Sequence, residues 1–217
     1  MKIEIMIPSV IVASIIFTIL FNIGRSNYYE SKKEKFKIKS MFPYEMQNQI
    51  NAKYNWNVRF MSLFFALAMS LFAINAFDIT FASILSVIVG IMILNAIDNM
   101  LLFFIDMRRA SLHMALAVIS FGLTFLNYIL LAYYVFFVSS NEYPIVLGII
   151  CLIIALIILG LCANPKLYKW MFMNKVEENG KVELKRPEIL TLALYEWMFI
   201  ALAIVFDLII VLVTILM

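Results

Sequence analysis

Three acidic side chains lie inside long apolar stretches of the sequence, namely Asp98, Glu196 and Asp207. A carboxyl group in such surroundings can bind and release a proton or a cation. At the centre of a membrane helix it costs about 2.5 kcal/mol or more unless it is paired or hydrated. Acids in these positions therefore indicate either a path for protons or cations, or an internal hydrogen-bond network that orders a bundle.

The spacing of these acids predicts their relative depth. Asp98 lies seven residues before Ile105, where its apolar stretch ends, and Glu196 lies seven residues after Ile189, where its stretch begins. Both are then roughly 10 Å inside the same membrane boundary. Glu196 and Asp207 are eleven residues apart, so they share one helix face about 16 Å apart. We expect Asp98 and Glu196 to form one polar cluster, with Asp207 farther out.

Other polar side chains accompany the three acids. Asn95 and Asn99 flank the first acid, and Tyr195 adjoins the second, so these three are predicted to support the path. In the alternative, a purely structural hydrogen-bond network, Asn75 and Asn127 are further members. His113 lies close to an arginine pair and is predicted at the membrane interface.

Enzymatic chemistry is the less expected reading. The chain has one histidine and two cysteines, with no metal-ligand spacing, no Gly-x-Ser-x-Gly motif and no phosphate-binding glycine loop. We therefore predict no catalytic residue, no metal and no cofactor, and keep a membrane enzyme acting on lipid as a third possibility. Cys151 and Cys162 would lie roughly 16 Å apart on one helix, too far for a disulfide.

Membrane-spanning helices must position these residues, because 65% of the chain is hydrophobic and only 14% is charged. The predicted fold class is an all-α integral membrane protein with six transmembrane helices in a single domain of residues 1–217. A tight turn at Asp78 separates the second and third spans, since an unbroken helix there would be more than twice the membrane core in length. The predicted spans cover residues 5–23, 60–77, 79–105, 114–138, 143–163 and 189–217.

The lysines and arginines predict the orientation. Of the 17, all but Lys2 lie in 25–59, 108–109 and 166–186, which are alternate connections between the spans. Basic residues remain in the cytoplasm, so both termini are predicted to be non-cytoplasmic. We expect the bilayer of the plasma membrane, with its anionic inner leaflet, as the partner of these loops. Membrane insertion already accounts for the lysines, so no nucleic acid is expected.

Two cytoplasmic loops have features of their own. Residues 25–59 form a basic loop in which apolar residues after Pro43 recur with helical spacing, which predicts an amphipathic helix. In 164–188, the Asn179-Gly180 dipeptide predicts a hairpin. Either loop could dock a protein partner.

The predicted function is translocation of a cation or a proton-coupled small solute by Asp98, Glu196 and Asp207. The alternative is a non-transporting accessory or scaffolding subunit that binds a partner through its basic loops.

Overall fold

The structure is a computed structural model that describes residues 3–46, 52–76, 83–105, 110–139, 144–164, 174–178, 181–185 and 187–216. Helices dominate it. They are α1 (Ile3–Lys32), α2 (Ala52–Ala76), α3 (Ile84–Phe104), α4 (Ala110–Tyr133), α5 (Ile145–Cys162) and α6 (Thr191–Leu216). A 3-10 helix covers Pro43–Met46, and a π-helical turn, Tyr134–Val138, continues α4.

Five of these helices, α1, α3, α4, α5 and α6, are long and apolar enough to cross a membrane. The apolar part of α2, Phe60–Ala76, is shorter, roughly 26 Å against a core of about 30 Å. The prediction of a helical integral membrane protein is therefore confirmed in this coarser form. The predicted turn at Asp78 lies outside the described residues.

Helix α1 continues well beyond residue 23, where the predicted span ends. It stops at Lys32, after which Lys33 adopts the left-handed conformation with φ of 57° and donates its N–H to Tyr29 O at 2.8 Å. This bond satisfies a carbonyl of the last turn, as in other left-handed helix ends. Apolar sequence marks where lipid contact ends, whereas the helix continues through polar residues until its backbone is capped.

Consecutive helices from α1 to α5 pack against one another, and α6 returns to contact α4 and α1. This arrangement buries a core along the bundle. Its largest fully buried members include Phe72, Ile88, Tyr128, Leu131, Phe199 and Phe206. Large apolar side chains elsewhere remain exposed, notably on α5. This is expected for a bundle whose outer surface contacts hydrocarbon.

The connection between α1 and α2 folds back onto the bundle. We call its residues 39–46 the α1–α2 cap. Trp197 on α6 donates its ring N–H to Met41 O at 2.9 Å, and Leu190 donates its backbone N–H to Lys39 O at 2.9 Å. The side chains of Phe42 and Tyr44 are buried. The predicted amphipathic helix falls partly on residues 47–51, which lie outside the described residues.

The second predicted loop feature coincides with an antiparallel ribbon. Strands β1 (Asn174–Glu178) and β2 (Lys181–Lys185) pair with Glu178 opposite Lys181. The Asn179-Gly180 dipeptide itself lies outside the described residues.

Gly24 on α1 allows the α1–α2 cap to approach closely, because a Cβ there would lie 2.8 Å from Met46 Cβ. We expect Gly24→Ala to lower the thermal unfolding midpoint in detergent. Overpacking costs about 1–3 kcal/mol, more than the ~1 kcal/mol that alanine gains over glycine in a helix. Gly90→Ala is the matched control, since nothing lies within 4 Å of its added Cβ. Equal midpoints for the two variants would contradict the close approach.

Candidate functional site

A cavity lies between α1, α2, α3, α4 and α6. Its water-accessible volume is about 30 Å³, and because one water needs roughly 10–15 Å³ measured in this way, it has room for roughly two waters. Most of the wall is apolar. The polar part of the wall consists of Asn95, Asn99, Asn127 and Asp207.

Helices α3 and α4 are joined beside this cavity by a chain of side-chain hydrogen bonds. Asn95 Nδ2 donates to Thr124 Oγ1 at 3.3 Å, and Asn99 Nδ2 donates to Asn95 Oδ1 at 3.2 Å. Ser120 Oγ donates to Asn99 Oδ1 at 3.4 Å. All four side chains are buried. We call them the polar ladder; it holds the two asparagines of α3 at the cavity wall.

The register between α4 and α6 places Asn127 and Asp207 on the same cavity. Tyr128 Oη donates to Leu202 O at 2.7 Å, and the ring of Tyr128 meets that of Phe206 edge to face at 5.0 Å. Tyr128 directly follows Asn127 in the sequence, and Phe206 directly precedes Asp207. The ring contact and the hydrogen bond therefore also determine the relative positions of Asn127 and Asp207.

Glu196 lies in a second polar site, where it pairs with His113. His113 Nε2 is 3.2 Å from Glu196 Oε1, and both side chains are 1% exposed. His113 Nδ1 lies 2.7 Å from Ile105 O. Because that carbonyl can only accept, Nδ1 carries a hydrogen, and the contact between Nε2 and Oε1 requires a proton held by one partner or the other. The pair can therefore hold and pass one proton.

Aromatic rings of the α1–α2 cap cover this pair. The ring centroid of Tyr44 lies 4.8 Å from that of the His113 imidazole, and the ring centroid of Phe42 lies 6.0 Å from it. Both contacts are edge to face. Glu45 is near enough to interact electrostatically with Glu196. Glu196 Oε2 is buried and has no hydrogen-bond partner among the described residues. The site thus combines ionisable groups with an almost complete exclusion of water.

The three predicted path acids have different surroundings. Asp207 lines the cavity, while Glu196 forms its hydrogen bond with His113. Asp98 is buried on α3 but does not line the cavity, and its Oδ2 has no hydrogen-bond partner among the described residues. Of the predicted supporting residues, Asn95 and Asn99 line the cavity, whereas Tyr195 does not.

The predicted supporting residue Tyr195 accepts a hydrogen bond through its hydroxyl from Asn164 Nδ2 at 2.9 Å. This bond ties the chain after α5 to α6. Asn75, considered as a member of a structural network, donates instead to Leu71 O of its own helix at 2.7 Å.

Sequence reasoning missed one polar face of α4. His113, Ser120, Thr124 and Asn127 follow one another at spacings of seven, four and three residues, which places them on one side of a helix. All four are 3% exposed or less. That spacing was the available signal. Without it, the sequence predicts the histidine at the membrane interface and gives no indication of its pairing with Glu196.

No protein-family model, no curated protein and no solved structure matches this chain, so its own geometry is the basis for a functional proposal.

Proposed function

We propose that this protein translocates a cation, or a proton coupled to a small solute, through the cavity between its helices. The observation that carries the proposal is Asp207, an acid on the wall of a cavity of water-sized volume that is lined by residues of five helices. A carboxyl group is expensive within hydrocarbon unless it is paired or hydrated. One that faces such a cavity can bind an ion and exchange it with water, which is what a transport site requires.

The extent of the polar wall across the membrane supports a translocation path. Asn99 lies five residues before the end of α3, and Asp207 lies sixteen residues after the start of α6. In the proposed orientation these helix ends are on the same side, so the two residues are roughly 8 Å and 24 Å from it. The polar wall would then extend through roughly half of a core about 30 Å thick.

Glu196 and Asp98 remain predicted members of this path. The His113–Glu196 pair is near the starts of α4 and α6. In the proposed orientation it is therefore closer to the cytoplasmic face than the polar ladder. A pair that holds one proton between two bases could relay it between the α1–α2 cap and the cavity. The test of the whole path is ion flux into reconstituted vesicles.

The proposal includes six spans, namely the five long apolar helices and α2. It places both termini on the outer face of the plasma membrane. Its support is the charge distribution, since all but one of the 17 basic residues are on alternate connections. Although the apolar part of α2 is short, α2 begins earlier, at Ala52. A helix slightly shorter than the core is accommodated by local thinning of the bilayer at modest cost.

Cysteine labelling tests this topology. In a background lacking Cys151 and Cys162, we expect a membrane-impermeant maleimide to label Ser140→Cys in intact cells, and Lys35→Cys only after permeabilisation. If α2 did not cross, every later connection would change sides. Labelling of Ser140→Cys only in permeabilised cells would therefore exclude the six-span topology while leaving the position of Lys35 unchanged.

A second candidate function is an accessory or scaffolding subunit. It is favoured by the observation that Glu196 pairs with His113 in the protein interior rather than lining the cavity. Lys32, Lys33 and Lys35 are exposed beside the end of α1 and could bind an acidic partner. Loss of a stoichiometric partner on reversing these three charges, with vesicle flux absent in the unaltered chain, would favour this alternative.

A further inference from the structure

We propose that the cavity is a binding site for one alkali-metal cation, held by the Asp207 carboxylate and the side-chain oxygen of Asn127. This inference deepens the proposed function and depends on it for its biological role. The binding itself can be measured without transport.

The first support is an oxygen atom that lacks a partner. Asn127 is 3% exposed and lines the cavity, yet its Oδ1 has no hydrogen-bond donor among the described residues. Leaving a buried acceptor unpaired costs about 1–3 kcal/mol. A cation or a water in the cavity would remove that cost.

The second support is that the other two amide oxygens of the wall each already accept a hydrogen bond within the polar ladder. Asn95 Oδ1 accepts from Asn99, and Asn99 Oδ1 accepts from Ser120. Asp207, by contrast, is not a member of the polar ladder; it lines the cavity and is 8% exposed. The wall acceptors outside the polar ladder are therefore the oxygens of Asn127 and Asp207, on two helices whose register is fixed by Tyr128.

Charge and volume select the kind of ligand. Asp207 is the one ionisable side chain among the described residues of the cavity wall, so a monovalent cation is neutralised there, whereas a divalent ion would leave a buried excess charge. Carboxylate and amide oxygens suit hard cations. With room for roughly two waters, the cavity can hold one partly dehydrated ion together with a water.

The test measures binding to the whole 217-residue chain in detergent. Its thermal unfolding midpoint is followed as Na⁺ or K⁺ replaces choline at constant ionic strength and pH. We expect saturable stabilisation by at least one of the two metal ions. We also expect Asn127→Ala to raise the apparent Kd by roughly tenfold or more, since even supporting groups at ion sites have effects of that size. Asp207→Asn should abolish the response.

The matched control is Asn75→Ala, which removes an asparagine bonded to its own helix and outside the cavity wall. It should leave the apparent Kd unchanged. Equal stabilisation of the unaltered chain and the Asn127→Ala variant would overturn the site, as would stability that responds to pH but to neither metal ion. If Asp207→Asn does not fold, Asn127→Ala still decides the question. Binding without any vesicle flux would support this site and contradict the proposed function, whereas flux without binding would do the reverse.

Discussion

Vesicles containing the Asp207→Asn variant are expected to show a cation flux at least roughly tenfold below that of the unaltered chain. An amide has nearly the same shape as the carboxyl group but carries no charge, so it can neither neutralise a bound cation nor exchange a proton. Loss of about 1.4 kcal/mol of stabilisation at the slowest step already gives a tenfold effect. The measurement is uptake of a tracer cation, or of protons by an internal dye, under an imposed gradient.

Two further variants make this result specific. Asp207→Glu retains the charge and should keep most of the flux. Asp98→Asn tests the predicted acid that does not line the cavity. Unchanged flux in both asparagine variants would end the acid-path proposal, and loss in Asp98→Asn alone would move the path away from the cavity.

His113→Ala is expected to destabilise the protein by about 3–5 kcal/mol, the usual effect of removing one member of a buried pair. It leaves Glu196 buried without its partner and removes the ring against which Tyr44 packs. The hydrogen bond to Ile105 O after α3 is lost as well. Unfolding in mixed micelles with increasing sodium dodecyl sulfate, followed by tryptophan fluorescence, measures the change.

An exposed pair of similar chemistry provides the control. Lys39 Nζ lies 3.8 Å from Glu188 Oε1 on the surface, with the two side chains 52% and 91% exposed. Glu188→Gln should change the free energy of unfolding only slightly, because exposed pairs contribute at most about 1 kcal/mol. Since two residues in contact are not additive, the variant combining His113→Ala with Glu196→Ala should lose less than the two single losses together. Additive losses would contradict the pairing.

The candidate site was only partly predictable from the sequence. The cost of burying charge singles out Asp98, Glu196 and Asp207 without any coordinates, because the apolar stretches around them are plain. Their partners could not be found in this way. Whether a buried acid faces a cavity, a histidine or neither depends on how far each helix is rotated about its axis, and packing against its neighbours determines that rotation.

His113 shows this limit clearly. In sequence it is a single histidine beside an arginine pair, and its partner Glu196 lies 83 residues away. The α1–α2 cap is a similar case, since residues 39–46 read as part of a basic loop, yet Phe42 and Tyr44 are buried against that histidine. A contact over such a separation leaves no local pattern. The polar spacing along α4 was the nearest available signal.

By itself, then, the sequence determined that this protein belongs in a membrane and is helical there, because long apolar stretches are stable in lipid only when every backbone group is paired within its own segment. It also singled out the acids of greatest interest. Only the tertiary structure decided what each acid faces: Asp207 a cavity of water-sized volume, and Glu196 a buried histidine. The physical reason is that the cost of a buried charge is local to one helix, whereas its compensation comes from side chains on other helices.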